Sequence, residues 1–129
     1  MTTPRLMLLP GMACDADMWR APLAALDAAG LSQALRPLVS DALAHGDTIG
    51  AMAQAVLAES EGELILCGAS MGGIVAMEAA RQAPQRIRGL ALLGTNARPE
   101  SPDMRALREQ AITVYQRPGG VEDIIRANV

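Results

Sequence analysis

The stretch that decides the fold is "LILCGASMGG", residues 64–73. An unbroken apolar run enters three glycines, Gly68, Gly72 and Gly73, with a single hydroxyl, Ser70, among them. Apolar runs that do not alternate with polar residues read as strands covered on both faces, as in a parallel sheet. The segment that follows, "MGGIVAMEAARQAP" (71–84), carries Ile74, Met77 and Ala80 at helical spacing and closes at Pro84. The pattern G-x-S-x-G, Gly68 to Gly72, therefore sits between a predicted strand and a predicted helix, the context in which a serine becomes a nucleophile. A corner of this kind forces the serine into a cramped backbone conformation and pushes its hydroxyl out of the sheet's carboxyl edge. The helix that starts there aims free N–H groups, first that of Met71, at an oxyanion forming beside Ser70. A phosphate-binding loop would need a Lys after its glycines, and the chain has none; G-x-G-x-x-G is absent as well.

Working outward, three further apolar runs read as strands: "RLMLLP" (5–10), "QALRPLV" (33–39) and "GLALLGT" (89–95). Pro37 interrupts the second and pushes it to a sheet edge. Helical spacing fills the gaps. In "DMWRAPLAALDAAG" (17–30) Trp19, Leu23 and Leu26 recur and Gly30 ends the pattern; in "GDTIGAMAQAVLAES" (46–60) Asp47 or Thr48 caps and Ile49, Met52 and Val56 share a face. Strands alternating with helices specify an α/β fold, a parallel sheet with helices on both faces in three layers. Immediately after the first strand, Pro10, Gly11 and Met12 place a second backbone N–H, that of Met12, at the same end of the sheet as Ser70. After Thr95 the strands stop. "SPDMRALREQAITVYQ" (101–116) is a helix capped by Ser101 with Pro102 at its first position, and "VEDIIRANV" (121–129) is a further helical segment.

At 129 residues, half of them apolar, the chain has enough material for one core. All eleven basic residues are Arg and scatter among fourteen acids, for a net charge of -3, which excludes the clustered basic surface of a nucleic-acid binder. No apolar run reaches the length of a membrane span and no cleavable leader is recognisable, so the reading is soluble and cytoplasmic, without a membrane partner. Cys14 and Cys67 are too few for a disulfide framework, and one His with two distant Cys cannot build a zinc site, so neither metal nor cofactor is expected.

These motifs resemble the α/β-hydrolase superfamily of esterase- and lactonase-like serine hydrolases, over Leu6 to about Pro99. "LLPGMACDADMW" looks like the loop carrying the second oxyanion donor, "CGASMGGIVAMEAARQAPQRIRGLALLGT" like the nucleophile elbow with its helix and next strand, and "ARPESPD" like the entry to a lid. The resemblance implies that Ser70 is the nucleophile, that Met12 and Met71 donate backbone N–H groups, and that residues 1–98 are the N-terminal part of the core with 99–129 the start of a helical lid. It also implies four strands in the spatial order second, first, third, fourth. The family's usual His-Gly in the first loop is Pro10-Gly11 here. Gly11 and Trp19 are candidates for lining an apolar acyl pocket, with Trp19 equally placed to be a helix-packing residue.

A serine hydroxyl needs a base, and in this fold the acid and then the histidine follow the serine along the chain. No His follows Ser70; His45 lies upstream in "ALAHGDTIG" and reads as a solvated loop residue, while Asp103 and Asp123 read as helix-start and surface acids. The expectation is a serine hydrolase acting on a small-molecule ester, lactone or related acyl substrate, present as a truncated chain without its triad acid and histidine. The alternative is a non-catalytic hydrolase-derived module that pairs with another copy or another chain through the exposed strand edge at 89–95.

Overall fold

Four parallel strands form the centre of the molecule in the order β2-β1-β3-β4: β1 (Arg5–Leu9), β2 (Leu38–Val39), β3 (Leu64–Ala69) and β4 (Ile87–Leu93). The computed structural model describes residues 3–127 and 129. The spatial order matches the expectation, and so does the edge position of β2. Strand β3 is central because its residues are apolar on both faces: Leu64 and Leu66 point to one side, Ile65 and Cys67 to the other.

Right-handed crossovers dictate which helix covers which face. The step from β1 to β2 runs toward one edge and carries a 3-10 turn (Ala16–Trp19), α1 (Arg20–Ala28) and α2 (Ser32–Leu35). Trp19, Leu23 and Leu26 pack there against Leu6, Leu8, Ile65 and Cys67. The two steps toward the other edge carry α3 (Ile49–Ala58) and α4 (Met71–Gln82), which bury Val56, Val75 and Ala79 against Met7, Leu9, Leu64 and Leu66 on the opposite face. Each fully buried Leu or Val contributes about 1.5–3 kcal/mol. Thr48 caps α3, its hydroxyl accepting from Ala51 N at 3.1 Å, and Gly30 follows α1 in a left-handed conformation (φ 70°), as the sequence indicated.

One expectation is corrected. Residues 33–39 are not one strand: Ser32–Leu35 are helical and only Leu38–Val39 pair with β1. The break falls at Arg36, which adopts φ 45°, ψ 57°. Its backbone carbonyl accepts from Arg5 Nε at 2.9 Å and its own guanidinium donates to Thr3 O at 2.8 Å, so contacts with the N-terminal segment set the turn.

The chain divides between Asn96 and Ala97 into two compact units. The second holds α5 (Pro102–Tyr115) and α6 (Gly120–Ala127). Ser101 caps α5, its hydroxyl accepting from Met104 N at 3.2 Å, with Pro102 at the first position and Asp103 in the first turn. Gly120 lets α6 start against α5, since a Cβ there would overlap the Val114 carbonyl. Among the described residues no helix is long and apolar enough to cross a membrane.

Candidate active site

In a parallel sheet all strands end at one edge, and β1 and β3 are neighbours, so the loops after Leu9 and Ala69 meet there. Ser70 links β3 to α4 with φ 51°, ψ -116°, one of three non-glycine residues at positive φ among the described residues. Such a conformation costs about 1–3 kcal/mol and has to be held by its surroundings. The restraints come from the end of β4. Ser70 N donates to Leu93 O at 2.9 Å, and Ser70 O accepts from Thr95 Oγ1 at 2.9 Å, from Gly73 N at 3.0 Å and from Ile74 N at 3.4 Å. Both backbone polar groups are thus fixed while the residue itself stays exposed. Among the described residues, Ser70 Oγ makes no hydrogen bond.

The glycines leave room for this corner. A Cβ on Gly68 would overlap the Gly72 carbonyl, one on Gly72 would overlap the Leu9 carbonyl and lie 2.6 Å from Pro10 O, and one on Gly73 would collide with Thr95 Oγ1. All three neighbours are at the sheet's carboxyl end, and no larger side chain fits between them. Thr95 was not singled out in the sequence; its signal is the hydroxyl residue directly after the fourth apolar run, opposite Gly73.

The first loop reaches the same corner. A Cβ on Gly11 would lie 3.4 Å from Ala69 O and 3.6 Å from Ser70 Cβ, so Gly11 sits against the serine. The loop then turns tightly, with Cys14 N donating to Gly11 O at 3.1 Å and Ala13 at φ 60°. Met12, at the apex, is 52% exposed. Met71 is the first residue of α4, so its N–H has no acceptor within the helix and carries the positive end of the helix dipole. A strained, exposed hydroxyl beside a helix N-terminus and a tight loop can present an oxygen nucleophile to a carbonyl and offer amide donors to the resulting oxyanion.

The remaining candidates lie elsewhere. Trp19 is 3% exposed, wedged beneath the start of α1 against Leu6 and Leu8; its Nε1 has no acceptor among the described residues. That is the packing role, and the indole also walls an apolar groove of about 400 Å³ along the α1 face. His45 ends a 3-10 turn (Ala42–Ala44), is exposed, and has Nε2 3.4 Å from Asp41 Oδ2; no hydrogen bond joins it to Ser70 among the described residues. Asp103 and Asp123 occupy first turns of α5 and α6, Asp123 with an Arg117 partner at 3.6 Å.

One titratable cluster was not legible in the sequence. Asp41 N donates to Glu59 Oε1 at 3.3 Å, and Glu59 Oε2 is buried without a partner among the described residues. Burial raises the Glu59 carboxyl above the usual range, whereas the hydrogen bond from Glu59 and the neighbouring His45 lower that of Asp41. On the α1 face, burial pushes the Cys67 thiol up.

Known proteins with the same arrangement place the chain. A family model described as the alpha/beta hydrolase family matches residues 6–126. The pimeloyl-[acyl-carrier protein] methyl ester esterase of Aromatoleum aromaticum is 36% identical over 108 residues, 78% of this chain and 42% of that protein. A thermophilic esterase of Thermogutta terrifontis superposes with a TM-score of 0.69 at 29% identity, over 92% of this chain and 46% of its own. An extracellular alpha/beta-hydrolase of a Paenibacillus species shares the fold, with a TM-score of 0.61 at 18% identity, over 85% and 52%. The chain thus spans about half the length of these relatives. With the parallel sheet, the strained serine corner and a family match over nearly the whole sequence, this chain belongs to the alpha/beta hydrolase family.

Proposed function

We propose that the chain is part of a serine hydrolase that cleaves small-molecule acyl esters, with lactones and related acyl compounds as further substrates. Ser70 Oγ attacks the acyl carbon, and the backbone N–H groups of Met71 and Met12 hold the oxyanion. The observation that carries this reading is the Ser70 backbone at φ 51°, ψ -116°, pinned by Leu93 and Thr95 with Gly11 against its Cβ. The esterase names of two relatives support the reaction class. The base that takes the Ser70 proton comes from outside these 129 residues, because the sequence has no His beyond His45. Residues 99–129, which fall within the second compact unit, are proposed as the start of the lid.

Without that base, amide donors and binding alone leave catalysis on the order of 10³-fold over water. A p-nitrophenyl ester assay of the chain mixed with the stretch of the Aromatoleum aromaticum esterase that it does not match tests this, because the residual rate of the chain alone does not depend on the serine. The expected result is turnover above that residual rate, which Ser70→Ala abolishes and His45→Ala leaves unchanged; equal rates in wild type and Ser70→Ala with the stretch present overturn the proposal.

Two observations favour a second reading, a non-catalytic assembly module: the missing histidine, and a β4 edge that pairs with no strand among the described residues while exposing Leu90, Leu92 and Leu93. In that case another copy or a complementing chain pairs along β4, and light scattering of the purified chain detects it as a concentration-dependent rise in mass.

A further inference from the structure

One peptide group carries both the Ser70 carbonyl and the Met71 N–H. A planar trans amide points its oxygen and its hydrogen in opposite directions, so whatever fixes Ser70 O also aims the Met71 N–H. Three donors hold that oxygen: Thr95 Oγ1 at 2.9 Å, Gly73 N at 3.0 Å and Ile74 N at 3.4 Å. Gly73 and Ile74 belong to α4, so their bonds travel with the helix, and the one from Ile74 is longer than an ordinary N–H···O bond. Thr95 stands two residues past the end of β4, the strand whose Leu93 O accepts from Ser70 N at 2.9 Å. Of the three donors, it alone ties this peptide to the sheet.

The neighbours of the Thr95 hydroxyl decide where its proton goes. Oγ1 lies 2.9 Å from Ser70 O and 3.5 Å from Leu93 O, and both are carbonyls that only accept, so the hydroxyl donates to the nearer one. Gly73 makes the approach possible, since a Cβ there would collide with Oγ1 and lie 2.8 Å from Thr95 Cβ. The G-x-S-x-G pattern asks for glycine at 68 and 72 and leaves 73 open, so Thr95 accounts for the third glycine. We propose that Thr95 is a positioning residue of the hydrolase: its hydroxyl holds the Ser70 carbonyl so that the Met71 N–H faces the oxyanion, and polarises that amide into a better donor. This role rests on Ser70 being the nucleophile. An acyl oxygen carries little charge until the nucleophile adds, so the aim of the Met71 N–H acts on kcat and hardly on KM.

Two measurements test this on Thr95→Val, which keeps the shape and drops the hydroxyl, and on Thr95→Ser, which keeps the hydroxyl. The first needs no turnover: in the chain labelled with nitrogen-15 methionine, the Met71 amide resonance is expected to shift more than any other methionine amide in Thr95→Val and to return in Thr95→Ser. A Met71 resonance that stays in place in Thr95→Val, or that moves no more than those of Met7 in β1 and Met52 in α3, overturns the proposal. The second is p-nitrophenyl ester turnover by the chain mixed with the stretch of the Aromatoleum aromaticum esterase that it does not match. An oxyanion donor removed outright costs about 10²–10³ in kcat, so one left in place but no longer aimed is expected to cost about tenfold, with KM within about twofold and Thr95→Ser near wild type. Ser70-dependent turnover whose kcat Thr95→Val leaves unchanged, or whose KM alone rises, overturns the positioning role and leaves the nucleophile standing. Turnover that Ser70→Ala does not lower overturns the nucleophile, and the role of Thr95 with it.

Discussion

Gly72 and Gly50 are both the second residue of a helix, α4 and α3, so helix propensity treats Gly→Ala alike at the two sites, favouring Ala by about 0.5–1 kcal/mol. Their surroundings do not. At Gly50 an added Cβ would meet Gln82 Nε2 at 3.8 Å, Glu78 Oε1 at 3.9 Å and Thr48 Oγ1 at 4.0 Å, all ordinary contacts, so Gly50→Ala is expected to gain most of the propensity term. At Gly72 the Cβ would overlap the Leu9 carbonyl and lie 2.6 Å from Pro10 O. An ordinary carbon–oxygen approach is about 3.3 Å, so clearing Pro10 O alone takes a shift of about 0.7 Å in the end of β1 or the start of α4, and clearing the Leu9 carbonyl takes more. Both atoms are backbone and cannot rotate away. Overpacking of this kind costs about 2 kcal/mol at the centre of its range, which leaves Gly72→Ala destabilised by about 1.3 kcal/mol after the helix gain. With a urea slope of about 1.5 kcal/mol per M, the midpoint falls by about 1 M while that of Gly50→Ala rises by about 0.5 M. Trp19, the only tryptophan, follows unfolding of the unit that holds both glycines. If Gly72→Ala is as stable as wild type, the contact between the first loop and the helix start is wrong, and with it the geometry around Ser70.

Two further tests probe separate interactions. Glu59 has its carboxyl raised by burial, so the stability it lends is complete below the ordinary Glu range and is lost as pH rises through the raised value; Glu59→Gln is expected to stabilise near pH 7 and to lose that advantage as pH falls through the ordinary Glu range, read from urea midpoints at the two pH values. Ser101→Ala removes the cap of α5 and is expected to cost about 1 kcal/mol, seen as reduced helical circular dichroism on heating while the Trp19 signal holds its midpoint.

Much of this architecture was legible because each β-strand except β2 carries an unbroken apolar run, residues 6–9, 64–69 and 89–93, and a run that is apolar on both faces admits few partners. The caps Thr48 and Ser101, the end of α1 near Gly30 and the serine corner were equally visible, since each depends on residues a few positions apart. What escaped depends on distant contacts. Residues 33–35 look like the start of a strand, but the exchange of hydrogen bonds between Arg36 and the segment Thr3–Arg5 turns the chain there. The pairing of Asp41 with Glu59 and the part Thr95 plays in holding Ser70 join residues 18 and 25 positions apart, which no local pattern records. The groove beside Trp19 follows from the handedness of the crossovers, a property of the whole sheet.

The most direct test of the central claim is the site at which a fluorophosphonate attaches. Peptide mapping by mass spectrometry after prolonged exposure of the chain is expected to find the adduct on Ser70 at least tenfold faster than on Ser32, Ser40, Ser60 or Ser101, and to find none in Ser70→Ala. An adduct spread evenly over the five serines, or a Ser70→Ala chain that labels as fast as wild type, would contradict a corner built to make this one oxygen attack.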